Sequence, residues 1–424
     1  MKFSNLATLL FSIIILTSCS DDKTITPAVS VTYPEKAGVT KKDILTTTTD
    51  GVKVFNGGYG SGIASNEEGV YYIMTDRGAN IDGVNSDEKI FAAPNFNPQI
   101  GKFKLVGDSL VLQSLISLKD EAGVALTGLP NPEGLGGAGE KAFDLTGKTL
   151  STDTKGVDSE GLLVMNDGTF WVSDEYGPHI IHFDANGKTL ERINPFGNGV
   201  GGRKIPSVFA KRRPNRGMEG LTVTPDQKYL VGVMQSPLYN PDKKVKGTAK
   251  ALRILQYEIA TGVSKEFLYI LESTDNANSD IVAITNTTFL VLERDGLMPG
   301  TDPVCFKKIY KIDISNATDI SVTAPEGKLI GTKTIEQSTP EEIIATGIKT
   351  VSKELAFDIM SIPNYPHDKP EGIVIINNTT IGIINDDDFG VVGVGKYTQK
   401  LLPLMNNQPD KSILYYAKLS KSLK

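Results

Sequence analysis

The stretch DSEGLLVMNDGTFWVSDEYG, Asp158 to Gly177, holds an acidic residue and a glycine, an apolar strand, a short turn, and a second apolar strand ending in carboxylates. Four further copies follow the same order: SGIASNEEGVYYIMTDRG from Ser61, MEGLTVTPDQKYLVGVMQSP from Met218, DIVAITNTTFLVLERDG from Asp280 and PEGIVIINNTTIGIINDDDFG from Pro370. A two-strand unit cannot bury its apolar face alone. Radial repetition closes such units on one another, so the expected fold is an all-β β-propeller. Equivalent positions of a propeller converge on its axis, so the repeat also stacks acidic residues there.

Each copy is followed by alternating apolar runs that read as an outer strand pair: KFKLVGDSLVLQSL from Lys102, HIIHFDANGKTLERI from His179, ILQYEIATGVSKEFLYIL from Ile254, KIYKIDISNATDISV from Lys308 and ILYYAKLSKSL from Ile413. Asp-Ala-Asn-Gly and Ala-Thr-Gly supply hairpin turns. Two inner and two outer strands make a four-stranded blade. The anchors are Gly62, Gly161, Gly220 and Gly372, with Ala283 in the fourth copy, where Val282-Ala283 replaces Glu-Gly. Asp120 to Lys155 is glycine-rich and reads as a long loop or a degenerate blade. Six blades are therefore expected, one degenerate, with five and seven as alternatives. Thr339-Pro340-Glu341-Glu342 reads as a helix start ahead of Ile343, Ile344, Ile348 and Val351. Thr46 to Phe55 is a candidate for closing the ring against the last blade.

The chain opens with MKFSNLATLLFSIIILTSC, an export signal with Lys2 as its charged start and a short apolar core from Leu6 to Leu16. That core is shorter than the ~20 residues of a membrane-spanning helix. Leu16-Thr17-Ser18-Cys19 resembles a bacterial lipobox, which makes Cys19 the expected lipidation site; an ordinary secretory signal is the alternative. The expected organisation is a signal over 1–18, a polar tether over 19–40 and the propeller over 41–424. Ser20 after the cysteine, and the run Ser20-Asp21-Asp22-Lys23, suit an outer-membrane lipoprotein of a Gram-negative bacterium that faces the cell surface. The expected membrane contact is the lipid alone, and the protein is expected to be a monomer.

Cys305 is the only other cysteine, so no internal disulfide holds the fold; a small buried residue is expected there. The formal charge of −6 argues against nucleic acid as a partner. There is no P-loop, G-x-S-x-G elbow or H-E-x-x-H helix, and three histidines exclude a histidine-rich metal site.

Glu160, Glu219 and Glu371 each precede the glycine that opens an inner strand. Asp76, Asp174 with Glu175, Glu293 with Asp295, and Asp386 with its two neighbours close the second strand of a pair. In a hairpin these two ends lie side by side, so the acids gather at one mouth of the channel. Crowded carboxylates repel unless a cation compensates, and an all-oxygen donor set suits Ca²⁺, or Mg²⁺, over zinc. Asp76, Glu160, Asp174, Glu219, Glu293, Glu371 and Asp386 are the candidate metal ligands. The alternative is that Glu-Gly is a turn and the aspartates cap strand ends. Arg77, Arg294 and Lys369 stand among these acids, and GGRKIPSVFAKRRPNRGMEG leads into Glu219. Guanidinium forks suit phosphate or carboxylate oxygens, so an anionic small-molecule substrate is expected; the alternative is a solvated basic loop. Arg216, three residues before Glu219, is the better candidate. His179 could act as a general acid, with His182 and His367 as weaker candidates and packing roles as the alternative. Trp171 reads as core.

GVDSEGLLVMNDGTFWVSDEYGPHIIHFDANGKTLERI, NRGMEGLTVTPDQKYLVGVMQSPL, KPEGIVIINNTTIGIIND, LERDG and YYIMTDRG resemble the phytase-like propellers described by esterase-like activity of phytase. The resemblance implies a phosphoric-ester hydrolase. Alkaline phytases of propeller fold use calcium, so it also implies a carboxylate–calcium mouth. In that mechanism Arg77, Arg216 or Arg294 would neutralise charge on the phosphoryl oxygens, and a carboxylate such as Glu175 would take the proton of water. Two other classes fit: a surface propeller that binds a ligand without turning it over, and a sugar-lactone hydrolase, for which Asn215 and Asn385 are the relevant residues.

Overall fold

Alternating apolar residues along the paired runs produce five antiparallel four-stranded blades, the first and fifth joined edge to edge as one eight-stranded sheet. The structure, a computed structural model, describes residues 31–39, 43–301 and 304–424; the expected signal segment and Cys19 lie outside them. The first blade runs Tyr59–Glu67, Val70–Thr75, Gln99–Val106 and Ser109–Ser117. The second is Ser159–Val164, Phe170–Asp174, His179–Phe183 and Thr189–Ile193. The third is Met218–Val223, Tyr229–Met234, Ala251–Glu258 and Ser264–Ile270. The fourth is Ala277–Ala283, Thr288–Arg294, Lys307–Asp313 and Ser352–Asp358. The fifth is Pro370–Asn377, Thr380–Asn385, Ile413–Lys418 and Lys36–Val39.

Five apolar cores, one between each pair of neighbours, close the ring. Met74 and Ile100 of the first blade pack with Leu162 and Val172 of the second. Trp171 and Ile180 meet Leu221 and Leu255 of the third. Phe267 and Tyr269 meet Ile281 and Val291 of the fourth. Leu290 and Ile309 meet Ile373 and Ile383 of the fifth. Val374 and Leu414 return to Ile63 and Phe103 of the first. Five blades thus replace the expected six. The segment 120–155 forms no blade: its strand Lys141–Asp144 pairs in parallel with Glu88–Phe91, which pairs with Asn80–Asp82.

Four further expectations are corrected. The ring is closed by Lys36–Val39, expected in the tether, which pairs antiparallel with Ile413–Tyr415 and parallel with Ser109–Leu110. Thr46 to Phe55 instead contributes to a separate hairpin of Ile44–Thr47 with Lys53–Phe55. The outer strand of the fourth blade is Ser352–Asp358 rather than the run after Asn316, because an insertion intervenes. That insertion carries the helix Pro340–Ala345, whose start is as expected. Thr339 Oγ1 accepts from the Glu342 amide at 3.3 Å, and Glu342 Oε2 accepts from the Thr339 amide at 3.0 Å. A fully buried ion cluster pins the insertion to the third blade: Arg253 lies 2.7 Å from Glu266 and 2.8 Å from Glu336. Cys305 is half-buried, not buried, with its thiol 3.8 Å from the Leu297 carbonyl oxygen.

Candidate active site at the channel mouth

Every inner strand carries an irregularity at its start: the register shifts between Tyr59 and Gly62, Ser159 and Leu162, Met218 and Gly220, Asn278 and Asp280, and Pro370 and Gly372. A β-bulge re-aims the side chain it carries. In the second, third and fifth blades that residue is Glu160, Glu219 or Glu371; in the fourth it is Ser279. The glycine that follows is required by close approach of the next blade. A Cβ on Gly161 would stand 2.5 Å from the Leu221 amide, and one on Gly220 would stand 2.7 Å from the Ile281 amide. The fourth blade therefore aligns at Ser279-Asp280, not Val282-Ala283. Asp280 fills the glycine place and bridges outward, accepting from the Ile281 and Ile373 amides at 2.8 Å each.

Carboxylate oxygens of Glu160, Glu219 and Glu371 lie within 4.8 Å of one another, and all three residues are buried. Glu160 and Glu371 stand 211 residues apart in sequence, with Glu219 between them, and all three open into one cavity of about 340 Å³. Ten carboxylates and five cationic side chains line it, including Asp76, Arg77, Glu175, Arg216, Arg294 and Asp386. Ile81, Val391 and Val392, from two small sheets outside the blades, also line it. Burial first, and neighbouring carboxylates next, hold Glu160 and Glu219 well above the usual range. Burial raises Asp158 likewise, and Asp76 to about 7.

Asp174 and Glu293, expected among the metal ligands, do not line this cavity. The register explains it: Thr75, Asp174, Met234, Glu293 and Asn385 occupy one position in the five blades, and Asp76, Glu175, Gln235, Arg294 and Asp386 the next. Successive strand residues face opposite sides, so only the second set turns to the axis. Asp174 lies 2.8 Å from His179 and caps the Asp158 amide at 2.7 Å. Glu293 accepts from Tyr269 at 2.6 Å, Asn276 at 2.7 Å and Lys353 at 2.8 Å.

The histidines all lie outside the cavity. Burial, and then the charge of Arg192, lower His179 to about 4. His182 stacks on Trp171 at 4.2 Å, and His367 lies between Asp410 and Tyr415 at 2.8 and 2.9 Å. Of the basic run, Arg212 holds the Tyr176 and Gly136 carbonyl oxygens, and Lys211 bonds Asn240 at 2.9 Å. Arg77 is occupied by Glu140 at 2.9 Å, Tyr176 at 3.1 Å and Asn80 at 3.2 Å. Arg294 pairs with Glu371 and donates to Ser279 at 2.9 Å. Among the described residues Arg216 is the cavity cation without an ion pair; its guanidinium reaches the Ser236 hydroxyl at 3.4 Å. Sequence reasoning missed Asp158, Asp368 and Gln235 as lining residues. Asp158 had a signal, standing two residues before Glu160.

Four buried oxygens at this mouth have no hydrogen-bond partner: Glu175 Oε1, Glu219 Oε2, Gln235 Oε1 and Asn215 Oδ1. All are acceptors, among carboxylates that repel one another. This donor set fits a hard divalent cation. The pH dependence follows. Asp76, Asp158, Glu160 and Glu219 hold protons more tightly folded than unfolded. Their contribution to stability is therefore present below the ordinary carboxylate range of ~4 and lost as pH rises, through about 7 for Asp76 and at higher pH for the other three. In chelator, the melting temperature is expected to be lower at pH 8 than at pH 6, with added Ca²⁺ removing most of the difference. Calorimetry at both pH values checks it.

The fold and site define a β-propeller with an acidic, cation-suited channel mouth. The chain belongs to the Phytase-like family, described by esterase-like activity of phytase, whose model matches residues 56–389. It is 28% identical over 310 residues to an uncharacterized secreted protein of Arthroderma benhamiae, covering 56% of this chain and 59% of that relative. Similar solved structures include a protein from Lactobacillus plantarum (TM-score 0.34, 10% identity, covering 88% of this chain and 91% of that one). Another is a streptogramin B lyase (TM-score 0.30, 12% identity, covering 85% of this chain and 93% of that one).

Proposed function

We propose that the protein is a divalent-cation-dependent hydrolase of phosphate esters acting at this mouth. The observation that carries the proposal is the buried triad of Glu160, Glu219 and Glu371, set in a cavity that also holds arginines. These three carboxylates would hold the ion, Ca²⁺ or Mg²⁺. When bound, the ion supplies a Lewis acid for a phosphoryl oxygen and for water. Arg216, without a carboxylate partner, is suited to a phosphoryl oxygen; Arg294 positions Glu371, and Arg77 stands beside Asp158 at 3.4 Å. Asp76, raised to about 7 by burial, is matched to accepting a proton from water near neutral pH. Glu175, expected in that role, instead lies within 4.8 Å of Asp158 and Glu160, which suits a ligand.

The lactone reading keeps one supporting observation, the unpartnered Asn215 oxygen in the cavity. Asn385 gives it none, since it bonds the Ile413 amide at 2.9 Å. A panel of phosphate monoesters and sugar lactones, with chelator and with Ca²⁺, separates the readings. Phosphate release that chelator abolishes is expected. Lactone opening alone would replace the phosphatase reading, and turnover of neither would leave a binding module. Arg216→Ala is expected to raise KM for the phosphate ester about tenfold or more, consistent with ~1.5–3 kcal/mol for a charge-assisted hydrogen bond.

The lipobox at Leu16 to Cys19 supports a lipid-anchored, exported protein, and the relative described as secreted agrees with export. No helix among the described residues is long and apolar enough to cross a membrane. Cys19→Ala is expected to move the protein from the membrane to the soluble fraction; unchanged fractionation would remove the anchor from this reading.

A further inference from the structure

We propose that the mouth holds two divalent cations, with Glu160 shared between them. The proposal rests on the reading above that this mouth binds a divalent cation. Oxygens of Asp158, Glu160 and Glu175 lie within 4.8 Å of one another, as do those of Glu160, Glu219 and Glu371. Glu160 belongs to both sets, and its two oxygens allow one to serve each.

One unpartnered acceptor stands at each set: Glu175 belongs to the first, and Gln235 lies beside Glu219 of the second. Glu175 Oε1 and Gln235 Oε1 both lack a hydrogen-bond partner, in side chains only 3% and 8% exposed. Gln235 occupies in the third blade the position of Glu175 in the second. Its amide is neutral, so carboxylate crowding does not account for its orphaned oxygen. Protein charge also leaves room for two ions. Arg77 meets both Glu140 and Asp158, and Arg294 meets Glu371. Across the whole cavity ten carboxylates face five cationic side chains, an excess of five negative charges that two divalent ions largely offset.

The test is Ca²⁺ binding to the full-length chain after chelation, read as stoichiometry by titration calorimetry and equilibrium dialysis. Two ions per chain are expected for the unaltered protein, one for Asp158→Asn, one for Glu371→Gln, and weakened binding of both for Glu160→Gln. Glu175→Gln reads the same site as Asp158→Asn should the latter fail to fold. One ion per chain in the unaltered protein overturns the second site and leaves the proposed function standing. Two ions that persist in both Asp158→Asn and Glu175→Gln also overturn it. No binding at all overturns both.

Discussion

Glu160→Gln is expected to reverse its effect on stability with the cation. In chelator the variant should melt at or above the temperature of the unaltered protein. In saturating Ca²⁺ it should melt below it, and cation-dependent turnover should fall by a factor of 100 or more. Without a cation, Glu160 is a buried carboxylate against Glu219 and Asp158, raised far above its usual range by burial first and their charges next. Gln keeps the shape and removes that repulsion. Glu160 is the one carboxylate common to both acidic triads, so with a cation it would be the shared ligand. An ion present at 100 times its Kd adds about 2.7 kcal/mol, and a protein that no longer binds it loses that amount. Paired melts with chelator and Ca²⁺ measure both signs. A variant destabilised equally in the two conditions would make Glu160 a structural residue and remove the cation from the site. The double variant Glu160→Gln/Glu219→Gln should be non-additive, because the two carboxylates lie within 4.8 Å of each other and would hold one ion.

Removing residues 1–40 is expected to prevent stable folding, whereas removing residues 1–30 leaves the propeller intact. Lys36–Val39 is the seam of the ring. It pairs with Ile413–Tyr415 on one side and Ser109–Leu110 on the other. The Gly38 amide reaches Asp108 at 3.0 Å, the Val39 amide Ser412 at 3.1 Å, and the Tyr416 amide Glu35 at 2.9 Å. Ala37 is fully buried in the core between the fifth and first blades, beside Leu110 and Leu414. No disulfide backs up this seam. At ~1 kcal/mol per hydrogen bond plus the lost burial, several kcal/mol disappear from a total of about 5–15. Two strand edges are also uncovered, ready to pair with other chains. Size-exclusion profiles and melting of the two truncations check this. A monomeric, cooperatively melting protein lacking residues 1–40 would show that the seam is dispensable.

The inner strand pairs could be read directly because they are local: apolar alternation, a tight turn and a return strand lie within about 20 residues, as from Asp158 to Gly177. The acidic mouth followed from the same repeat, since Glu160, Glu219 and Glu371 hold one place in three copies. Distance along the chain hid the rest. The fourth blade takes its outer strand from Ser352, beyond an insertion, and the fifth takes its outer strand from Lys36, at the far end of the sequence. Neither pairing leaves a local pattern, and the glycine-rich segment 120–155, the source of the expected sixth blade, instead puts Lys141–Asp144 beside Glu88–Phe91 in a small separate sheet.

By itself, the sequence determined the all-β propeller architecture, the hairpin turns, the helix start at Thr339 and the convergence of three glutamates. Tertiary structure decided which neighbours of those glutamates share their cavity. Asp174 and Glu175 are adjacent and chemically alike, yet pleating sends one to His179 and the other to the axis. It also decided which arginine is left without a carboxylate. Arg77 and Arg294 meet Glu140 and Glu371, partners 63 and 77 residues away, whereas Arg216 meets none among the described residues. A side chain's direction in a strand depends on register and bulges, and its charge partner depends on which strands the closed ring brings together. Both are properties of the assembled blades.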